Sequence, residues 1–371
     1  MIVLHANFDF DRKLTDPDQL LERYTTLTGW SQALLEAGAS RVVVVQRFHH
    51  HSIVTRNGVE YHFGRRGQVA PAELASAEIA HVNGLKFPMQ TRLLRARLRR
   101  RTPIVAQDHA SGPPPARAAA RAMRRWGFRT VDAFLFTAAP QADAWRAANI
   151  IRHQQRIYEV LEASTKLRPM ARAAARDASG VDGSPALLWV GRLNANKDPL
   201  TVLTGFERIV VPCPDASLTM VFGSDELLPE VRSKLSASPA LGRRVRLVGY
   251  VPQEELPAYY SAADIFVLGS HHEGSGYALI EACACGAVPV VTRIPAFRAI
   301  VGDGARGALW PPGDAIGLAN ALLQTANRDL AGLRAGLAVH FANELSWTAV
   351  GRRALDIYAE VRARRRSSRG V

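Results

Sequence analysis

Lysine is scarce in this chain: only five of its 47 basic residues are lysine (Lys13, Lys86, Lys166, Lys197 and Lys234), and the other 42 are arginine. In an alanine-rich chain that bias is what GC-rich coding produces, so part of the net charge of +14 is compositional. The arginines still cluster, in RLLRARLRRR (92–101), RAAARAMRRWGFR (117–129) and the tail RARRRSSRG. Aromatic residues make up 7% of the chain and are sparse around these runs, so the stacking platforms of single-strand binders are missing and no nucleic-acid partner is expected. The basic runs read first as solvated helical faces and second as contacts with an anionic membrane. Cysteine is also rare, with three residues; Cys283 and Cys285 sit two apart in a segment read as helix, where such neighbours face different ways. That argues against a disulfide or metal pair and for reduced, buried thiols. No stretch approaches the roughly 18 apolar residues of a membrane span. The start MIVLHANFDFDRK turns acidic after a few apolar residues, which is not the order of a signal peptide. The expected location is cytoplasmic, with peripheral contact at the inner face of the membrane kept as an option.

What the chain does have is apolar residue: 47% of 371 positions, enough for about two packed domains. Branched apolar runs alternate with helix-period segments, which predicts parallel sheets wrapped by helices. In the first half the predicted strands are MIVLH, RVVVVQ, EIAHV, PIVAQ and AFLFT, with a hairpin at SIVTRNGVEYHF around Asn57-Gly58. In the second they are ALLWV, LTMVFG, VRLVGY, IFVLG, VPVVT and GALW. The expected boundaries are a first doubly wound domain over 1–165, a linker over 166–185 with no apolar period, a second doubly wound domain over 186–345, and a C-terminal helix with a basic tail over 346–371. That helix, from Trp347 to Arg364, carries an apolar stripe (Val350, Leu355, Ile357, Tyr358, Val361) that must cover something, the first domain being one choice. Ligands of such sheets sit beyond the carboxyl ends of strands, so residues there carry weight.

After ALLWV, the loop GRLNANKDP holds Arg192 and Lys197. An arginine fork and a lysine point charge can grip a diphosphate, but taken alone the pair reads slightly better as two surface cations in an arginine-rich protein. LTMVFG ends in a glycine turn at Gly223, where a backbone can approach a ligand, although glycine ends many strands. After IFVLG comes HHEGSGYALIE, in which Glu273 precedes and Glu281 lies about a turn inside a helix starting near Tyr277. Amides at a helix start beside glycines make an anion or hydroxyl site, and the two acids need not share a face. For Glu281 the bland alternative is a carboxylate on the helix dipole.

VGRLNANKDP, VFGSDE, LVGYVPQEELPAYYSAADIFVLGSHHEGSGYALIEACACGAVPVV and GALWPPGD, in this order and spacing, resemble the nucleotide-sugar glycosyltransferases of family 4. The resemblance implies an α/β GT-B fold, two Rossmann-like doubly wound domains facing each other across a cleft. It further implies a retaining, metal-independent transfer of a hexosyl group to a hydroxyl acceptor, with a UDP-, GDP- or ADP-sugar as donor and no other cofactor. By that likeness Arg192 and Lys197 clamp the diphosphate and Glu273 holds the donor sugar with Gly274, Ser275 and Gly276. Glu281 holds the ribose, Tyr250 and Val251 meet the base, and Gly191, Gly223 and Tyr277 complete the donor side. Ser275 and Tyr277 depart from the Phe and Leu common in the family.

The first half resembles the family less closely. PIVAQDHA places His109 after a strand end, where similar enzymes put an acceptor-side histidine, and EVLEASTKL resembles the segment that closes the first domain. The first loop of many relatives carries paired glycines; LTGWS is the comparable stretch here, which makes Gly29 and Trp30 candidates for lining the cleft on the acceptor side. Asp9-Phe10-Asp11 has a metal-diphosphate form, yet an Arg/Lys clamp makes it redundant, so it reads as a loop feature. His49-His50-His51 alternate sides on an extended chain and read as a polar strand end. The readings are a cytoplasmic glycosyltransferase or, as the alternative, an inactive basic GT-B-fold binding protein at an anionic membrane. A dinucleotide-dependent dehydrogenase lacks its G-x-G-x-x-G after the first strand of either half.

Overall fold

A computed structural model describes residues 1–65, 71–109 and 112–367. Ala110 and Ser111, which follow His109, and the end of the basic tail lie outside the described residues. The chain divides into two compact units, Met1–Ser164 with Ser346–Val371, and Thr165–Leu345.

The first unit is built on β1 (Ile2–Asn7), β2 (Arg41–Arg47), β3 (Ser52–Arg56), β4 (Val59–Gly64), β5 (Ile79–Asn83), β6 (Ile104–Gln107), β7 (Ala133–Phe136) and β8 (Arg156–Glu159), in sheet order β3-β4-β2-β1-β5-β6-β7-β8. All pairings are parallel except the β3–β4 hairpin, whose turn residues Asn57 and Gly58 take φ values of 51° and 77°. β2 and β5 to β7 are buried along almost their whole length, as strands covered on both faces must be. The strand β8 was not foreseen. It is four residues long, begins with arginine, ends with glutamate and lies at the sheet edge, so no apolar run announces it.

The helix Trp347–Ser367 belongs to this unit, buries Val350, Ala354, Ile357, Tyr358 and Val361, and packs on the helix Thr25–Glu36, where Trp347 meets Gly29, Gly351 meets Ala33 and Tyr358 meets Trp30. The contact corrects the reading of Gly29 and Trp30 as site-lining residues. A Cβ on Gly29 would lie 2.4 Å from the Trp347 ring, so this glycine is what lets the two helices meet. Trp30 is 1% exposed and its indole Nε1 donates to the Tyr358 hydroxyl at 3.3 Å.

The second unit contains β9 (Ala186–Gly191), β10 (Ser217–Phe222), β11 (Val245–Gly249), β12 (Ile265–Leu268), β13 (Val288–Thr292) and β14 (Ala308–Trp310), all parallel, in the order β11-β10-β9-β12-β13-β14. The α/β class and the two Rossmann-like parallel sheets match the sequence reading. The stretch 166–185, read as a linker, carries the helix Arg172–Ser179, whose Ala175 packs with Val181, Ala186 and Ala262. An alanine-only apolar face has no large side chains to show a period, which is why the helix was not read. The order reverses around β9: the chain moves from β9 out to β11 on one side and returns to β12 on the other. This leaves a crevice at the carboxyl ends of β9 and β12.

Candidate functional site

Two loops build the crevice of the second unit. Asn196, in the loop after β9, stitches it to the loop after β12. Its side-chain amide donates to the His272 carbonyl at 3.0 Å, its side-chain oxygen accepts from the His272 amide at 3.0 Å, and its own carbonyl accepts from the His271 amide at 2.9 Å. Asp198, held at φ 43°, caps the helix Pro199–Ile209 by accepting from the Thr201 amide and also meets His271 Nε2 at 3.1 Å. These bonds place Lys197 against Glu273, and the two form an ion pair with 13% of each side chain exposed. Arg192, one residue past Gly191 at the end of β9, is exposed and has no side-chain partner among the described residues. Leu193 beside it is buried and ties the loop to the end of β10: its amide donates to the Ser224 carbonyl and its carbonyl accepts from the Leu227 amide.

Gly276 caps the helix Tyr277–Cys285 in a left-handed conformation, φ 68°, and a Cβ there would lie 2.6 Å from the Phe297 ring. Only glycine meets both demands. Of its neighbours, Ser275 is 2% exposed and so is a packed residue, whereas Tyr277 is 42% exposed. Glu281 is 8% exposed; its two oxygens accept from Gln253 Nε2 at 2.6 Å and from the Tyr260 hydroxyl at 2.9 Å. Burial raises its pKa, and these two hydrogen bonds oppose the rise. Gln253 follows β11, so the loop carrying Tyr250 and Val251 is also drawn to this helix. Tyr250 is 77% exposed with its ring 4.0 Å from where a Cβ on Gly223 would stand, while Val251 is buried. Cys283 and Cys285 are free and buried, and burial pushes both thiols up to about 12, which makes them packing groups.

The loop after β9 carries an exposed guanidinium and the lysine that pairs with Glu273, and the helix capped by Gly276 begins just beyond that glutamate. Such a set can hold an anionic group such as a diphosphate and still offer carboxylates to hydroxyls. Asn196, Gln253 and Tyr260, the residues that position the cations and the acid, were not singled out from the sequence. All three sit inside the quoted motifs, but only the fold shows what they touch.

The first unit has its own polar cluster at the carboxyl ends of its central strands. His109 follows β6, keeps 20% of its side chain exposed, and has Nδ1 3.5 Å from the Glu162 carboxylate. Desolvation first, with His5 and the Lys86 cation nearby, lowers its pKa to about 3, leaving a neutral ring near pH 7. His5 and His81 lie side by side on β1 and β5 with ring centroids 4.7 Å apart; His5 bonds Ser31 and His81 bonds Tyr358. Burial lowers both of these imidazoles too, so they stay uncharged. The Asp9 amide donates to the Asn7 side-chain oxygen, the Asp9 carbonyl accepts from Gln46 Nε2 at 2.8 Å and the Asp11 carboxylate accepts from the Lys13 amide, while His49 and His50 pack on Phe10 and Phe48. The one group of metal-type donors among the described residues is Glu60, His62 and Glu73, and Arg41 already bonds both glutamates there.

Fold and crevice together define an α/β protein of the GT-B type whose second unit presents cations, carboxylates and a helix start at its strand ends. Residues 184–328 match the family model described as Glycosyl transferases group 1, in line with the likeness read from the motifs. A D-inositol 3-phosphate glycosyltransferase of Thermobispora bispora is 32% identical over 205 residues, 52% of this chain and 47% of that protein. The chain thus spans about half the length of the curated relatives it matches. Among solved structures, sucrose-phosphate synthase of Thermosynechococcus elongatus superposes with a TM-score of 0.69 at 20% identity, covering 97% of this chain and 99% of that one. Anabaena Alr3699/HepE in complex with UDP superposes with 0.71 at 15% identity, covering 97% and 100%.

Proposed function

We propose that the chain is a retaining glycosyltransferase that moves a hexosyl group from a nucleoside diphosphate sugar to a hydroxyl acceptor. The observation that carries this reading is the pairing of the loops after β9 and β12, which sets Lys197 against Glu273 just before the helix that Gly276 caps, with Arg192 in the same loop after β9. The leaving diphosphate gains charge as the glycosidic bond breaks, and preorganised cations and amides act most strongly where that charge develops. Arg192 offers a planar fork; Lys197 offers a point charge whose pull Glu273 moderates. Glu273 in turn accepts from hydroxyls of the donor sugar, and Glu281, fixed by Gln253 and Tyr260, accepts from the ribose. Backbone at Tyr250 and Val251, beside Gly223, meets the base. His109, neutral and backed by Glu162, serves the acceptor side, where an imidazole can accept a hydroxyl proton bond. With the positive charge supplied by side chains and amides, the reading needs no metal.

The relatives' names support the transferase class, and the UDP held by Anabaena HepE supports a nucleotide donor. The reading of an inactive binding protein is not favoured, because Arg192, Lys197, Glu273 and Glu281 are all present and gathered in one unit. No helix among the described residues is long and apolar enough to cross a membrane. The partners in this reading are the nucleotide sugar, the hydroxyl acceptor and, through the arginine-rich helices, an anionic membrane surface. Hydrolysis of UDP-, GDP- and ADP-sugars tests it. One donor should turn over, and Arg192→Ala should lower that turnover by about 10²–10³, as loss of one charge-stabilising donor typically does. Near-normal turnover in the variant refutes the clamp.

A further inference from the structure

Two helices of the first unit, Pro88–Arg97 and Ala118–Phe128, pack side by side and expose four large apolar residues. Met89 is 49%, Leu93 60%, Met123 49% and Trp126 46% exposed. Met89 and Leu93 are four apart and Met123 and Trp126 three apart, so each pair shares one helical face. The opposite faces are anchored in the core by Leu94 and Phe128. The Arg92 guanidinium lies over the Trp126 ring, 4.3 Å from its centroid, and joins the two helices. Residues 88–101 and 117–129 contain eleven arginines and neither aspartate nor glutamate. Arg117, Arg125 and Arg129 are exposed around the second helix, and Arg97, Arg99, Arg100 and Arg101 around the end of the first.

Exposed apolar residues rimmed by charge of one sign mark an interaction face, and tryptophan amid arginine suits the boundary between lipid headgroups and acyl chains. The absence of any acid within these two segments matches a partner of uniformly negative charge. A duplex would satisfy the arginines but would leave methionine and leucine against water. We propose that this face seats the protein on an anionic lipid surface. Met89, Leu93, Met123 and Trp126 enter the headgroup layer, while the surrounding arginines meet lipid phosphates. The proposal assigns residues to the membrane partner named above and is independent of the transfer chemistry.

The full chain is tested against vesicles of phosphatidylglycerol mixed with phosphatidylcholine and against phosphatidylcholine alone. Binding to the mixed vesicles should fall steeply with salt. Trp126→Ala should weaken it about tenfold, through lost apolar burial. Each exposed arginine neutralised should weaken it about fivefold. Trp126 also reports directly: Trp30, Trp145, Trp189 and Trp310 are buried and Trp347 is half-buried. Vesicles should therefore blue-shift its fluorescence and shield it from acrylamide, and Trp126→Phe should remove that signal while binding persists. Donor hydrolysis by Trp126→Ala should stay unchanged, so loss of vesicle binding is separable from failure of the transferase reading. Equal binding to neutral vesicles, an unshielded Trp126 on vesicles, or displacement by duplex DNA would overturn the proposal. So would shielding of Trp126 by rising protein concentration alone, which would point to a second copy of the chain.

Discussion

Replacing Tyr260 with phenylalanine isolates one hydrogen bond on a buried acid. Tyr260 is 0% exposed, and its ring packs 5.9 Å from that of Phe266, so phenylalanine keeps the packing and removes only the hydroxyl that bonds Glu281 at 2.9 Å. A hydrogen bond to a charged partner is worth about 1.5–3 kcal/mol, and that is the expected loss of stability when Glu281 is ionised. The sign with pH follows from the direction of the shift. Burial raises the Glu281 pKa, so the ionised form is the one the fold disfavours; the stability this group contributes is present below its unfolded pKa and lost as pH rises through the folded one. The Tyr260 and Gln253 bonds limit that loss by favouring the carboxylate. Without the hydroxyl the pKa rises further, so the deficit of Tyr260→Phe is largest at mildly alkaline pH and shrinks at acidic pH, where both proteins hold a protonated Glu281. Urea unfolding followed by Trp189 and Trp310, both buried in the same unit, measures it. A deficit below about 0.5 kcal/mol at alkaline pH, or one equal at both pH values, would refute the reasoning.

Glu281→Ala should weaken donor binding by about ten- to hundredfold, the loss of a charged hydrogen bond to the ribose, and unchanged affinity in calorimetry would remove that role. Donor affinity of the native chain should also fall on acidification, beginning at a higher pH than for an ordinary glutamate because burial raises this one; Glu281→Gln should abolish that pH dependence. Gly276→Ala forces a side chain into φ 68° and into the Phe297 ring, and should destabilise the protein by about 1–3 kcal/mol in thermal unfolding. A native melting curve for that variant would mean the turn can relax.

The second unit was largely legible because its strands are runs such as Val288–Thr292, too apolar to sit anywhere but inside a parallel sheet, and because its site residues follow those strands in sequence. The helix start at Tyr277 was legible for the same local reason: two glycines precede an apolar segment, and glycine alone tolerates the left-handed cap. The first unit was harder. Its edge strand β8 carries charge at both ends, and its glycine at position 29, read as a loop feature, sits mid-helix against Trp347.

By itself, then, the sequence determined the alternation of strand and helix, the glycine turns and the kinds of charge available after each strand, because these depend on neighbours within a few residues. Only the tertiary structure decided that Lys197 pairs with Glu273, 76 positions away, that Gln253 and Tyr260 hold Glu281, and that Tyr358 of the last helix reaches His81. Sheet order sets which loops become neighbours. Partners so far apart in the chain leave no periodic trace; they are chosen by packing.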